Sequence, residues 1–176
     1  MKTNDVILVN KKDEEVGLGE KMDIHKRGLL HRAFSIFVFN SKNELLLQQR
    51  AFSKYHSGGL WTNTCCSHPK PGEELLEAAH RRLEEEMGFD CKLTEKFSFI
   101  YRTKFLELSE YECDHVIVGK YENDPKINRK EAADFKWISI ENIENDLKAN
   151  PENYTYWFKI AFPKVIKQVK KISSLD

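Results

Sequence analysis

The pattern of apolar and polar positions along the chain predicts a mixed sheet with helices beside it. Aromatic and β-branched residues dominate residues 33–39, and aromatic residues alternate with others in residues 91–103, as is typical of strands. Further strands are predicted over residues 5–9, 44–50, 110–121 and 133–138. Residues 40–43 form a turn signal, so residues 33–39 and 44–50 are expected to pair as a hairpin. Residues 14–21 are expected to be a polar connection.

Apolar residues that recur every three or four positions predict helices in the second half of the chain. From Leu75 to Met87 this period is clear, and Gly88 follows where a helix would stop. Ser139 is expected to cap a helix over residues 140–149. A last helix should begin near residues 150–152, where Pro163 is expected to kink it or divide it in two. These elements predict one α+β or α/β domain over residues 1–176.

Composition and charge exclude several classes of function and location for this chain. The chain has 176 residues with 28 basic and 28 acidic ones, and zero net charge argues against non-specific binding to nucleic acid. No apolar run approaches the roughly 20 residues that span a bilayer, and the N-terminus lacks a secretory signal. Four cysteines in a chain of this length do not form a disulfide framework. We therefore expect a reduced, cytoplasmic protein, either a monomer or a weak homodimer, with no membrane or nucleic-acid partner.

Histidines and carboxylates suggest a metal site. His25 and His31 bracket one glycine turn, and His68 lies two residues from Cys66. Glu110 and Glu112 are two residues apart on a predicted strand, so their carboxylates point to one face. Three imidazoles with carboxylates suit Zn²⁺, Mn²⁺ or Fe²⁺ rather than Ca²⁺. The alternative is that the histidines are structural and the two glutamates are simply exposed at a strand start.

Cys66 is the candidate reactive sulfur. Free cysteine is most often a small buried apolar residue, but a cation, a metal site or the N-terminus of the following helix would favour the thiolate. Arg82 and Glu86 lie on that helix, and a solvated charged helix is the simpler interpretation of them. The aromatic residues Trp61, Tyr101 and Trp157 are most simply core residues, unless a cation develops next to them.

The segment from Ser67 to Phe89 resembles the Nudix box. It reads S-x5-E-x7-R-R-L-x-E-E-x-G-F, where the box is written G-x5-E-x7-R-E-U-x-E-E-x-G-U with U a bulky apolar residue. The box forms a loop, helix and loop that hold a divalent metal against a diphosphate. Two positions depart from it: Ser67 replaces the opening glycine, and Arg82 replaces the glutamate associated with hydrolysis. A Nudix hydrolase with a cation at that position is expected to be crippled.

With these two departures, the sequence resembles the type 1 isopentenyl-diphosphate isomerase branch of the Nudix superfamily. Three motifs carry the likeness: LHRAFS at 30–35, WTNTCCSHP at 61–69 and EYECD at 110–114, within a motif-bearing core of about 21–157. The resemblance implies a Nudix fold and a metal-dependent 1,3-allylic proton shift that converts isopentenyl diphosphate to dimethylallyl diphosphate in isoprenoid biosynthesis. It implies no redox cofactor. The alternatives are a Nudix hydrolase of nucleoside or isoprenoid diphosphates and a non-catalytic diphosphate-binding module.

The resemblance also implies roles for individual residues. One divalent ion, Mn²⁺, Mg²⁺ or Zn²⁺, would be held by a set of five side chains: His25, His31, His68, Glu110 and Glu112. Glu86 and the backbone carbonyl of Cys66 would hold Mg²⁺ on the substrate diphosphate. The phosphates would be gripped by four basic residues: Lys21, Arg50, Lys54 and Arg82. Cys66 and Glu112 would transfer protons, with Tyr101 assisting the glutamate. Trp157 would lie over the allyl group, and Trp61 and Trp157 would exclude water.

Overall fold

The computed structural model describes residues 4–54, 56–105 and 107–173. The strands in these ranges are β1 (Asp5–Val9), β2 (Glu15–Glu20), β3 (His31–Phe39), β4 (Glu44–Arg50), β5 (Trp61–Thr62), β6 (Cys65–Ser67), β7 (Leu93–Phe105), β8 (Leu108–Lys120) and β9 (Ala132–Ser139). The α-helices are α1 (Lys21–Arg27), α2 (Leu75–Met87), α3 (Ile140–Ala149) and α4 (Tyr156–Ser173), and a short 3₁₀ turn spans Pro151–Asn153.

Strand β3 is the centre of a mixed sheet. It runs parallel to β8, in register from the pair His31–Glu112 to the pair Phe39–Lys120. On its other side it runs antiparallel to β6, where Ser35 faces Cys66. Strand β7 is antiparallel to β8 along its whole length, and β4 is antiparallel to β9. The motifs that carried the resemblance therefore lie on adjacent strands.

Alternate residues of β3 build two cores, because successive side chains on a strand point to opposite faces. Phe34, Ile36 and Val38 pack with α2 residues that include Leu83 and Met87. On the other face, β3 residues pack with Phe158, Phe162 and other residues of α4. The helices thus cover both faces of the sheet, which agrees with the predicted α+β class.

One strand prediction holds only in part, and another is wrong. Strands β3 and β4 do not form a hairpin ladder: the pair Phe39–Leu45 joins them, and β4 pairs along its length with β9 instead. The edges of β3 are already occupied by β6 and β8, so β4 has to find another partner. The predicted polar connection contains strand β2, which pairs with β1.

The helix predictions hold in part. Helices α2 and α3 occupy the expected ranges, and the Ser139 hydroxyl accepts a hydrogen bond of 3.3 Å from the Asn142 N–H. Helix α4 begins at Tyr156, after the 3₁₀ turn, rather than at residues 150–152. It continues through Pro163, so the proline does not divide it. No helix within the described residues is long and apolar enough to cross a membrane.

Candidate functional site

A cavity of about 670 Å³, including the space at its open mouth, lies where the sequence motifs meet. Strands β3, β4, β6, β7 and β8 and helices α1, α2 and α4 all contribute to its wall. Of the residues singled out in the sequence, it is lined by Lys21, His25, Arg50, Lys54, Cys66, His68, Arg82, Glu86, Tyr101, Glu110, Glu112 and Trp157. Chain segments far apart in sequence therefore bring thiol, imidazole, carboxylate and basic groups to one place.

Three imidazoles and one carboxylate meet at the inner end of this cavity. His25 lies on α1, His31 begins β3, His68 follows β6, and Glu112 lies on β8 opposite His31. One ligand atom from each of these four residues lies within 4.8 Å of the others. The ring centroids are 4.8 Å apart for His25 and His31, and 5.0 Å apart for His31 and His68. Such a group is compact enough for one metal ion.

The hydrogen bonds of two of these rings prepare them to bind a metal. The Nδ1 atom of His25 is 2.5 Å from the Lys21 carbonyl, and that of His31 is 2.9 Å from the Leu29 carbonyl. A carbonyl can only accept, so both Nδ1 atoms carry a proton, and in the neutral rings both Nε2 atoms carry a lone pair. Both Nε2 atoms are buried and make no hydrogen bond within the described part of the chain. Nitrogen and oxygen donors in this state suit Zn²⁺ or Mn²⁺.

Glu110 lies next to this group rather than within it. Its two carboxylate oxygens are 3.2 Å from His25 Nε2 and 3.0 Å from His56 Nε2. His56 also lines the cavity, with its ring edge against Trp157 at 5.9 Å. Sequence reasoning missed His56, and the available signal was only its position in a glycine-containing loop close to Lys54.

Glu112 is held by groups on both sides. Tyr101 faces it across the β7–β8 ladder and donates a hydrogen bond of 2.6 Å to its Oε2 atom. Burial opposes ionisation of Glu112, but contacts with His31 and His68 outweigh it and hold the pKa of the carboxyl well below its usual range. Burial and the neighbouring Glu112 raise the pKa of Tyr101 well above its usual value. Tyr101 is therefore a neutral donor to a carboxylate.

Cys66 is a half-buried thiol, and the protein groups around it favour its neutral form, so a thiolate favoured by a bound cation stays a prediction. Burial, and then the charge of Asp114, raise its pKa to about 12. Its Sγ donates to Asn63 Oδ1 at 3.0 Å and lies 3.6 Å from Ser35 Oγ. The Asn63 amide is oriented by the hydrogen bonds that its Nδ2 donates to the Ile36 and Cys65 carbonyls. Asn63, Ser35 and Asp114 had not been singled out in the sequence.

The mouth of the cavity is basic but contains its own counter-charges. Arg82 donates to Glu86, and Lys54 pairs with Glu131. Gln48 Nε2 donates to the second Glu86 oxygen at 3.0 Å. The Nε atoms of Arg50 and Arg82 are buried without a hydrogen-bond partner in the described residues. Unsatisfied buried guanidinium N–H groups are suited to an anion such as a phosphate.

Trp157 and Trp61 have different positions. Trp157 lines the cavity, lies 5.2 Å below the Arg50 guanidinium and donates from Nε1 to Thr62 Oγ1 at 2.9 Å. Trp61 is not among the residues that line the cavity, and its ring is covered by Lys136 Nζ at 4.2 Å. Neighbouring residues of a strand point to opposite sides, so Thr62 faces Trp157 and Trp61 faces away. Of the two tryptophans expected to exclude water, only Trp157 is among the residues that line the cavity.

Known proteins share the fold of this chain. The family model described as the NUDIX domain matches residues 29–158. Solved structures at 21% identity share the fold: one from Deinococcus radiodurans has a TM-score of 0.69, covering 83% of this chain and 90% of that one. A MutT protein from Methanosarcina mazei has a TM-score of 0.65, covering 80% and 96%. These likenesses and the family match define a Nudix-fold protein.

Relatives with higher identity are more specific. Isopentenyl-diphosphate Delta-isomerase 2 of Aromatoleum aromaticum is 53% identical over 162 residues, which make up 92% of this chain and 86% of the relative. Isopentenyl-diphosphate Delta-isomerase of Pectobacterium atrosepticum is 48% identical, covering 94% and 93%. The chain belongs to the isopentenyl-diphosphate Delta-isomerase family within the NUDIX superfamily. The resemblance read from the sequence motifs is thereby confirmed.

Proposed function

We propose that this protein isomerises isopentenyl diphosphate to dimethylallyl diphosphate by a 1,3-allylic proton shift. One observation carries the proposal: a chain 53% identical to a protein named for that reaction places a thiol and a carboxylate, Cys66 and Glu112, in the wall of one cavity. Moving a double bond by one position requires one group that gives a proton and a second that takes one. No electrons leave the substrate, so no redox cofactor is needed.

The diphosphate is assigned to the basic mouth of the cavity. Arg50 and Arg82 carry the unsatisfied N–H groups, and Lys21 and Lys54 line the same wall. Bidentate contacts from guanidinium groups orient a phosphate as well as attract it. Arg82 occupies the position at which hydrolytic Nudix boxes carry glutamate, so this chain gains a phosphate ligand where a hydrolase has a carboxylate.

Two divalent cations are assigned, one at each end of the cavity. The inner one, Mn²⁺, Mg²⁺ or Zn²⁺, would be held by His25, His31, His68 and Glu112, with Glu110 completing the set. The outer one, Mg²⁺, would be held by Glu86 and the Cys66 carbonyl against the substrate phosphates. Bound cations supply positive charge that neutralises the diphosphate and holds the Glu112 carboxyl group in place.

The protein's own groups carry the proton. In the forward direction Glu112, in its protonated form and oriented by Tyr101, gives a proton to the terminal carbon, and the second carbon loses one to Cys66, which enters this direction as the thiolate. One proton enters and one leaves the substrate, so the proton count of the substrate is unchanged. The protein is left with a carboxylate and a thiol, the pair described above, which is equally the starting state for the reverse direction.

Protonating an unactivated alkene produces a carbocation that water would capture. Trp157 is 5% exposed and forms part of the wall, so it can exclude water and present its ring face to the cation. Such a contact is worth about 2 kcal/mol when desolvated. Fixing the substrate between two reacting groups can supply about 7–11 kcal/mol, so positioning contributes more than the aromatic contact.

A product assay after chelation tests the function. Metal-free protein should not convert isopentenyl diphosphate, and activity should return on adding Mg²⁺ with Mn²⁺ or Zn²⁺. Ca²⁺ alone should fail, because an imidazole-rich site disfavours it. Release of inorganic phosphate without the isomer would establish the hydrolase alternative instead. Substrate binding with no turnover under any of these conditions would indicate a binding module.

A further inference from the structure

A second group of metal-ligating side chains lies on the face of β8 opposite the cavity. Successive residues of a strand alternate, so Cys113 and His115 point away from the face that carries Glu112. Asp13, in the turn between β1 and β2, reaches the same place. The Cys113 thiol, a His115 ring nitrogen and an Asp13 carboxylate oxygen lie within 4.8 Å of one another. These three residues are called the Asp13 cluster below.

One ring nitrogen of His115, Nε2, is buried and makes no hydrogen bond with the described residues. Its Nδ1 atom is 2.6 Å from Glu95 Oε1, and since a carboxylate can only accept, Nδ1 carries the proton. In the neutral ring Nε2 then has a lone pair. This atom lies 2.9 Å from Asp13 Oδ2 but makes no hydrogen bond within the described residues, and His115 is only 7% exposed. Two electron-rich atoms 2.9 Å apart, one of them on a buried ring, favour a bound cation.

We propose that the Asp13 cluster is a second divalent-metal site, with Zn²⁺ as the ion it suits best. Sulfur, imidazole nitrogen and carboxylate oxygen are the three donor types that zinc takes in proteins. Asp13 uses its other oxygen, Oδ1, to accept from Arg32 Nε at 2.8 Å, so Oδ2 is available to the ion. On binding, the sulfur–metal bond replaces the S–H bond of Cys113, and the proton passes to solvent.

Charge and access both agree with such a site. Once the Cys113 thiol is ionised, it contributes one negative charge, as do Asp13 and Glu95, and Arg32 contributes one positive charge. The remaining two negative charges match one divalent cation. A surface cleft lined by Asp13, Arg32 and His115 gives an entry path and room for a water as fourth ligand.

The consequence would be structural rather than catalytic. The ion would join the β1–β2 turn to β7 and β8, since Asp13 lies in that turn and Glu95 orients His115. A ligand that binds only the folded chain stabilises it by mass action. The isomerase cavity lies on the other face of β8, so loss of this metal should leave substrate turnover intact.

Cobalt spectroscopy distinguishes the two sites. The inner site of the cavity offers only nitrogen and oxygen, so a thiolate-to-Co²⁺ charge-transfer band can come only from a site containing cysteine. Wild-type protein loaded with Co²⁺ should show this band, and Cys113→Ser should lose it while Cys66→Ser keeps it. Mass spectrometry of the native zinc-loaded protein should show two bound ions in wild type and one in Cys113→Ser.

Two further variants test the proposal without changing the cysteine, in case Cys113→Ser does not fold. Asp13→Asn and His115→Gln should each lower the Zn²⁺-dependent rise in melting temperature while isomerase activity stays at the wild-type level. The absence of a thiolate band at saturating Co²⁺, or a zinc count that is the same in wild type and Cys113→Ser, would overturn the proposal. So would a band that survives Cys113→Ser and disappears in Cys66→Ser. The cobalt band, the zinc count and the melting temperature are independent of turnover, so these readouts stand even if the proposed function fails.

Discussion

Removing one oxygen atom from Tyr101 tests how Glu112 is prepared for proton transfer. The Tyr101 hydroxyl donates a 2.6 Å hydrogen bond to Glu112 and is buried with it. Tyr101→Phe keeps the ring, which packs 5.8 Å from Phe99, and deletes only the donor. A hydrogen bond to a charged group contributes about 1.5–3 kcal/mol. If that bond orients the carboxyl group in the transition state, kcat should fall about 10- to 150-fold, at 1.36 kcal/mol per tenfold.

The assay is steady-state formation of dimethylallyl diphosphate, with metal content measured on the same samples. The matched control is Tyr111→Phe, the same chemical change one residue from Glu112 but on the opposite face of β8, where Tyr111 lies under Arg102 at 5.2 Å. The control should keep kcat within about twofold, because it removes no contact to the carboxylate. The melting temperatures of the two variants distinguish a catalytic effect from a loss of fold.

Two outcomes would refute this reasoning. If folded, metal-replete Tyr101→Phe turned over at the wild-type rate, the hydroxyl would have no part in orienting Glu112. If Tyr101→Phe and Tyr111→Phe lost activity equally, the effect would come from general disturbance of β7 and β8. Only a loss confined to Tyr101→Phe, in kcat rather than KM, agrees with the geometry.

Other predictions concern the thiol, the basic mouth and the inner metal site. Burial raises the pKa of Cys66 from 9.0 to about 12, so the thiolate fraction at pH 8 is about 1,000-fold below that of an ordinary cysteine. Its alkylation by iodoacetamide in metal-free protein, mapped by peptide mass spectrometry, should therefore rise about tenfold per pH unit up to pH 10, and a plateau near pH 9 would contradict this. Arg82→Gln should raise KM for the diphosphate at least tenfold while Arg82→Lys raises it less, and equal KM values in a steady-state titration would exclude Arg82 from the phosphate site. His31→Gln should lose the inner metal, which elemental analysis can check; unchanged metal content would remove His31 from the ligand set.

The strong local patterns were predictable from sequence, and the long-range pairings were not. The period of three and four in α2 and the apolar run of β3 specify those elements by themselves. Strand β2 was missed because it contains two glycines, with Val16 and Leu18 exposed, so its pattern is not that of a half-buried strand. Its pairing with β1, rather than its own composition, makes it a strand.

In the candidate site, too, residue types were predictable from the sequence, while the direction in which a side chain points and its burial were not. Motifs pointed to the histidines, Cys66 and Glu112, because their residue types carry recognisable chemistry. His56 was missed because a histidine in a loop has no periodicity to show what it faces. The motif around Trp61 does not say which side of β5 its ring occupies, and in the fold Thr62 takes the inner side. The ionisation of Cys66 depends on its burial, which comes from packing of the whole chain.

Heavy water provides the most direct test of the central claim, that Cys66 and Glu112 move a proton across one allylic unit. Isopentenyl diphosphate is incubated with metal-replete protein in D₂O, and deuterium is located by NMR. The account predicts dimethylallyl diphosphate with deuterium in its new methyl group from wild-type protein, and neither product nor label from folded Cys66→Ala or Glu112→Gln. Wild-type rates of labelled product from both variants would contradict it.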